Sequence, residues 1–239
     1  MPEGVGLHMD QFTTILWDVD GTLLDFLYSQ RYAITNCFQS IGREITEEQI
    51  QRYSKINDDY WKRLELGEVT KEQLFTGRFV ALFQEYGIEN IDVEAFAKEY
   101  QETLGSVFSY LDDSLNVCRA LQDRVRQYAV TNGATATQRR KLELSGLAAV
   151  MNDLFISEEV GAPKPYRAFF DYVMTHIDEK DKSRILIVGD SISSDIKGGV
   201  QAGIATCWYR PEGTANESVY RPDFEISDLH ALFDIRGVF

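Results

Sequence analysis

The sequence predicts an α/β protein: a doubly wound parallel sheet with a helical unit inserted after its first strand. Three observations predict it. An apolar run of strand length, Ile15–Trp17, ends abruptly in Asp18-Val19-Asp20-Gly21-Thr22, as a buried parallel strand does where it hands over to a loop. From Phe26 to about Leu104, apolar residues recur at helical spacing and no strand pattern interrupts them. From about Asp112 onward, helix and strand patterns alternate, which is the signature of crossover connections in a parallel sheet. These readings place a disordered leader at residues 1–12, a sheet domain at 13–25 and 106–239, and a helical domain at 26–105.

Each element has its own local cause. Met1–Met9, with a Pro, two glycines and a second Met, carries no pattern that would bury it. In the insertion, Thr46 with Gln49 and Thr70 with Gln73 have capping-box spacing and mark two helix starts. Leu74, Phe75, Phe79, Leu82, Phe83 and Tyr86 then follow a helical period and stop before Gly87, while Phe96, Tyr100 and Leu104 mark a further helix after Asp92. These stripes read as packing faces, although Tyr53, Tyr60 and Trp61 could also line a pocket.

In the second half, amphipathic Leu115–Gln122 leads into a short strand, Gln127–Val130, that ends in Thr131-Asn132-Gly133. A helix over Lys141–Leu144 stops at Gly146, and Asp153–Ser157 is the next strand. The loop Glu158–Pro165 then fixes one lysine, Lys164, between Pro163 and Pro165. A helix from about Tyr166 to His176 leads into a strand over Arg184–Val188, which ends in Gly189-Asp190 with Asp195 close behind. Ile196–Ala202, Ile204–Trp208 and Leu229–Phe233 complete the alternation.

Composition narrows the function classes. A chain of 239 residues with 44% hydrophobic content can bury a real core, and its formal charge of −14 argues against a nucleic-acid polymer or an anionic membrane as partner. Cys37, Cys118 and Cys207 are odd in number and lack metal-ligand spacing, so neither a disulfide framework nor a zinc site is expected. No run approaches the ~20 apolar residues of a membrane span and no secretory signal is present, so a cytoplasmic location is expected. His8, His176 and His230 fall outside every motif, which disfavours a Ser/His/Asp triad. Gly198-Gly199 and Gly203 lack the dinucleotide fingerprint.

The chemistry concentrates at predicted strand ends. Alternation along the first strand turns Asp18 and Asp20 to the same side of the exiting chain. Two carboxylates at ~4 Å repel by about 4 kcal/mol at an effective dielectric of ~20, so such a pair shares a proton or recruits a cation. Hard oxygen ligands favour Mg²⁺; the alternative is an Asx turn with one solvated carboxylate. Thr131/Asn132, Asp190/Asp195 and Lys164 follow other predicted strands, and in a doubly wound sheet all of these ends face one crevice. Carboxylates for a metal, a lysine, and a Thr/Asn pair able to donate hydrogen bonds suit a phosphoryl group. Taken singly, Thr131 and Asn132 could equally cap a helix, Lys164 could be a solvated lysine, and Asp195 could be a cap.

Asp18-Val19-Asp20-Gly21-Thr22, Thr131-Asn132, Lys164 and Gly189-Asp190 with Asp195 resemble, in order, the four motifs of the haloacid dehalogenase (HAD) superfamily. The resemblance runs from about Thr13 to the C-terminus and implies a Rossmann-like core with a C1 helical cap. Val130–Gly133, Ser157–Pro165 and Gly198–Trp208 look most like the pyrimidine or house-cleaning 5′-nucleotidase branch. It implies that Asp18 is the nucleophile that forms an aspartyl-phosphate and that Asp20 is the general acid and base, its backbone carbonyl also binding Mg²⁺. Asp18 and Asp190 would be direct metal ligands, and Asp195 would join the metal site by supporting another ligand or through water. Thr131 and the Asn132 amide would hold phosphate oxygens, with Lys164 offsetting their charge. The implied substrate is a small soluble phosphate ester, a nucleoside 5′-monophosphate above all, and a monomer and a homodimer are both compatible with it. Gly21 follows the second aspartate as in phosphoglycolate phosphatases and β-phosphoglucomutases, so a sugar-phosphate or phosphoglycolate phosphatase and a phosphomutase are the alternatives. A non-catalytic phosphate-ester binding module is a further alternative, and a dehalogenase has no use for an acid at Asp20.

Overall fold

The computed structural model describes residues 12–211 and 218–233. Residues 1–11 of the expected leader lie outside the described residues. Phe12 does not belong to a leader: it is buried and meets Phe224 edge to face with ring centroids 6.3 Å apart. Two compact units divide the described residues, one comprising 12–24, Tyr110–Thr135, 145–211 and 218–233, the other Asp25–Ser109 and Ala136–Leu144.

Strand β1 (Thr14–Trp17) is buried along its whole length, as a central strand covered on both faces must be. Helices α1 (Phe26–Ser40), α2 (Glu47–Glu65), α3 (Lys71–Glu85) and α4 (Val93–Leu104) follow. Then come α5 (Ser114–Leu121), β2 (Arg126–Thr131), α6 (Thr135–Leu144), β3 (Asp153–Ile156), α7 (Ser157–Val160) and α8 (Arg167–His176). The last elements are β4 (Ile185–Gly189), a π-helical turn over Ile192–Ile196, α9 (Lys197–Ala202), β5 (Ala205–Tyr209) and β6 (Phe224–Ile226). Among the described residues the strands form one sheet in the order β3-β2-β1-β4-β5-β6, with parallel pairing throughout. This is the doubly wound order, and its switch point lies between β1 and β4.

The edge strand β6 is absent from the sequence reading because three residues carry too little pattern to declare a strand. Asp223 fastens it instead: its carboxylate accepts the backbone N–H and the hydroxyl of Thr206, both at 2.9 Å, on the neighbouring β5. No described helix is long and apolar enough to cross a membrane.

In the second unit, both capping boxes form as the spacing predicts, with Thr46 accepting from Gln49 N–H and Thr70 from Gln73 N–H. The core of this unit is aromatic: Phe79, Phe83 and Phe96 meet mutually, and Phe79 stacks on Tyr53 with centroids 5.4 Å apart. Helix α6 belongs to this unit rather than to the sheet domain in which the sequence places it. Its N-terminal half is too polar to show a stripe, and Thr137 anchors it by donating to the Gln101 backbone carbonyl at 3.1 Å.

Arg78 is buried in this unit, and among the described residues no carboxylate forms an ion pair with it. Its Nη1 donates to Asn57 Oδ1 at 2.6 Å, its Cζ lies 4.9 Å from the Phe79 and Tyr100 ring centres, and Nε and Nη2 have no hydrogen-bond partner among the described residues. Removing the sole acceptor of a buried cation is costly, whereas replacing the cation by an apolar chain of similar length removes the desolvation penalty itself. Asn57→Ala is therefore expected to destabilise by about 2 kcal/mol, and Arg78→Met to leave stability unchanged or raise it. Denaturant melts of the two variants check the ranking.

Candidate active site

The C-terminal ends of β1, β2 and β4 and the loop before α8 bring the charged residues together. Asp18 leaves β1 with its N–H still bonded to Val188 O at 2.9 Å, so the neighbouring β4 fixes where the side chain starts. The chain then turns tightly, with the N–H groups of Leu23 and Leu24 returning to Val19 O at 3.0 and 2.9 Å. Gly21 in this turn has φ of +94°, and a Cβ there would collide with the Asp190 carboxylate, so glycine is required by both conformation and space. Gly189 is required by space alone, because a Cβ would overlap Asp195.

Lys164 is the centre of the cluster. Its Nζ donates to Asp18 Oδ1 and Asp195 Oδ1 at 2.7 Å each and to Val130 O at 2.8 Å, using all three ammonium protons. It is 1% exposed. Asp18 also accepts from Thr22 Oγ1 at 3.2 Å, and Asp195 Oδ2 accepts from Ser191 N–H at 3.1 Å. Thr131 is buried, and its hydroxyl accepts the Gly133 N–H at 3.1 Å. The Asn132 side chain pairs with the backbone of Lys164.

One oxygen from each of Asp18, Asp190 and Asp195 lies within 4.8 Å of the others. Asp20 lies outside this trio, half-buried on the turn that Leu24 closes by a backbone bridge. Three carboxylates against one ammonium leave negative charge in excess, which adds to the effect of burial on their acidity. Burial, opposed by Lys164 and reinforced by Asp195, pushes the Asp18 carboxyl up to about 7. Asp190 as a whole is exposed, yet loss of hydration around its carboxyl, followed by the charges of Asp18 and Asp195, raises it well above the carboxylate range. Burial works against the Lys164 charge, but Asp18 and Asp195 outweigh it and hold the ammonium more firmly than in water. An all-oxygen, anionic donor set of this size fits a hard divalent cation.

Several contacts that build the site carry no sequence signal of their own. Trp208 Nε1 donates to Asp190 O at 2.8 Å from β5, and Ser191, not Asp195, caps the π-helical turn by accepting from Ser194 N–H. The strand ends could be read as convergent; which polar atoms satisfy one another depends on register.

A model of the haloacid dehalogenase-like hydrolase family matches residues 12–203. The Bacillus subtilis HAD-hydrolase YfnB is 34% identical over 96% of this chain and 97% of its own. The crystal structure of YfnB bound to magnesium superposes with a TM-score of 0.90, covering 94% of this chain and 98% of that one at 34% identity. The pyrimidine 5′-nucleotidase PynA of Streptococcus pneumoniae is 34% identical over 92% of this chain and 93% of its own. The pyrimidine 5′-nucleotidase YjjG of Escherichia coli is 31% identical over 91% and 95%.

Proposed function

The chain belongs to the haloacid dehalogenase-like hydrolases, and from that premise we propose that it is a phosphomonoesterase acting on nucleoside 5′-monophosphates, pyrimidines before purines. The observation that carries the phosphatase reading is the Asp18 carboxylate held on Lys164 inside an acidic trio at the sheet's switch point. The nucleotide reading is supported by the likeness to PynA and YjjG.

In this reading Asp18 attacks phosphorus, the bond from phosphorus to the ester oxygen breaks, and Asp20 gives that oxygen its proton. Asp20 then takes a proton from water, whose oxygen attacks the aspartyl-phosphate and frees inorganic phosphate and Asp18. The Thr131 hydroxyl and the Asn132 N–H hold phosphate oxygens, and Lys164 offsets the charge that would otherwise keep two anions apart. Mg²⁺, held by Asp18, Asp190 and the Asp20 carbonyl, supplies further charge neutralisation when bound. Both Asp195 oxygens already accept hydrogen bonds, from Lys164 and Ser191, which supports for Asp195 the part of counter-ion to Lys164.

Phosphate release from a panel of esters, compared as kcat/KM with Mg²⁺ and with excess chelator, tests the proposal. We expect activity only with the metal, and nucleoside monophosphates ahead of hexose phosphates and phosphoglycolate. A sugar phosphate or phosphoglycolate ahead by ten-fold, about 1.4 kcal/mol of transition-state discrimination, rejects the nucleotide assignment and leaves the phosphatase standing. Turnover of a sugar phosphate to its isomer without phosphate release rejects hydrolysis in favour of a mutase.

A further inference from the structure

The side chain of Asn132 is committed entirely to other parts of the protein. Its Oδ1 accepts the backbone N–H of Lys164 at 2.8 Å and its Nδ2 donates to the backbone carbonyl of the same residue at 2.9 Å. One carboxamide thus grips both main-chain groups of one residue across 32 positions of sequence. The choice of partner follows from the local sequence. Pro163 and Pro165 have no N–H, so Lys164 carries the only main-chain donor of the three, and Asn132 takes it. The grip extends further: Nδ2 lies 3.5 Å from Ser194 Oγ, beside Asp195, and Ser157 Oγ donates to Asn132 O at 3.3 Å. The segments that follow β2, β3 and β4 are joined at this residue.

Lysine is the side chain that most needs such an anchor. Its stem has four rotatable bonds and about 2 kcal/mol of rotamer entropy, so an ammonium is held in place only if both ends are fixed. Here the far end is fixed by Asp18, Asp195 and Val130 O, and the near end by Asn132. We propose that the Asn132 side chain is the positioning residue of Lys164: it touches no reacting atom and sets where the ammonium stands against Asp18. The proposal rests on the part given above to Lys164 in the reaction. It is distinct from the backbone role of the Asn132 amide, which a side-chain substitution leaves in place.

A double-mutant cycle tests it, measured with an activated aryl phosphate so that slow variants remain readable. Asn132→Ala is expected to lower kcat about 100-fold in the otherwise native protein, the scale of an ångström-sized misplacement, with little change in KM. In a Lys164→Ala background the same change is expected to lower kcat by less than about three-fold, because the residue it positions is gone. Asn132→Asp keeps the size and the acceptor for Lys164 N–H but puts an oxygen against the Lys164 carbonyl, and it is expected to show the same dependence on Lys164. Thermal melts show whether each variant folds, and the aspartate variant serves if the alanine variant does not. An equal loss in both backgrounds, or near-native kcat in both Asn132 variants, overturns the proposal while leaving Lys164 in its role. Native turnover in Lys164→Ala alone overturns that role and the proposal with it.

Discussion

Asp18→Asn is expected to lower kcat by about four orders of magnitude or more, on the scale seen when a covalent nucleophile is removed, and to leave the fold intact. The amide has the shape of the carboxylate and none of its nucleophilicity. Its oxygen can face Lys164 Nζ, and its NH₂ can donate to Thr22 Oγ1, so both hydrogen bonds of Asp18 have a counterpart in the variant. The substitution also removes one charge from a trio in which burial and mutual repulsion already push Asp18 and Asp190 upward. The melting temperature should therefore stay level or rise while turnover disappears. Those two measurements on one preparation separate a lost nucleophile from a lost structure. Retention of more than about a hundredth of native kcat, a loss under ~3 kcal/mol, rules out Asp18 as nucleophile.

What the sequence made legible follows from how strongly each pattern is set by local chemistry. The buried strand β1 and the capping boxes of α2 and α3 depend on short-range features, and they stand where spacing put them. The convergence of Asp18, Lys164, Asp190 and Asp195 was legible because parallel strands deliver their C-terminal ends to one side of a sheet. The polar start of α6 and the three-residue β6 were not, since one is held by Thr137 on Gln101 and the other by Asp223 on Thr206, both contacts between distant residues. The Asn132 side chain belongs with these. An asparagine after a strand reads as a turn or cap residue, and only the fold shows that Lys164 lies opposite it.

Lys164→Ala is expected to lower kcat by about 10³-fold, the scale of losing one preorganised charge from a site shielded from water. Unlike the change at Asp18, this one should also destabilise the protein. Asp18 and Asp195 would lose their shared counter-ion within an enclosure where Lys164 itself is 1% exposed, and breaking a buried pair in this way typically costs about 3–5 kcal/mol. Raising the Mg²⁺ concentration should recover part of the stability, because a cation can offset the same carboxylates, yet it should not recover the rate. Lys164→Arg provides the sharper comparison. The ammonium sends three protons from one nitrogen to Asp18, Asp195 and Val130 O, whereas a guanidinium spreads its donors over a plane and is too large for the same enclosure. Charge is thereby kept while geometry is lost. If positive charge alone sufficed, Lys164→Arg would approach native kcat; we expect it to remain within about ten-fold of Lys164→Ala, and initial rates of the two variants at saturating substrate decide between charge and placement.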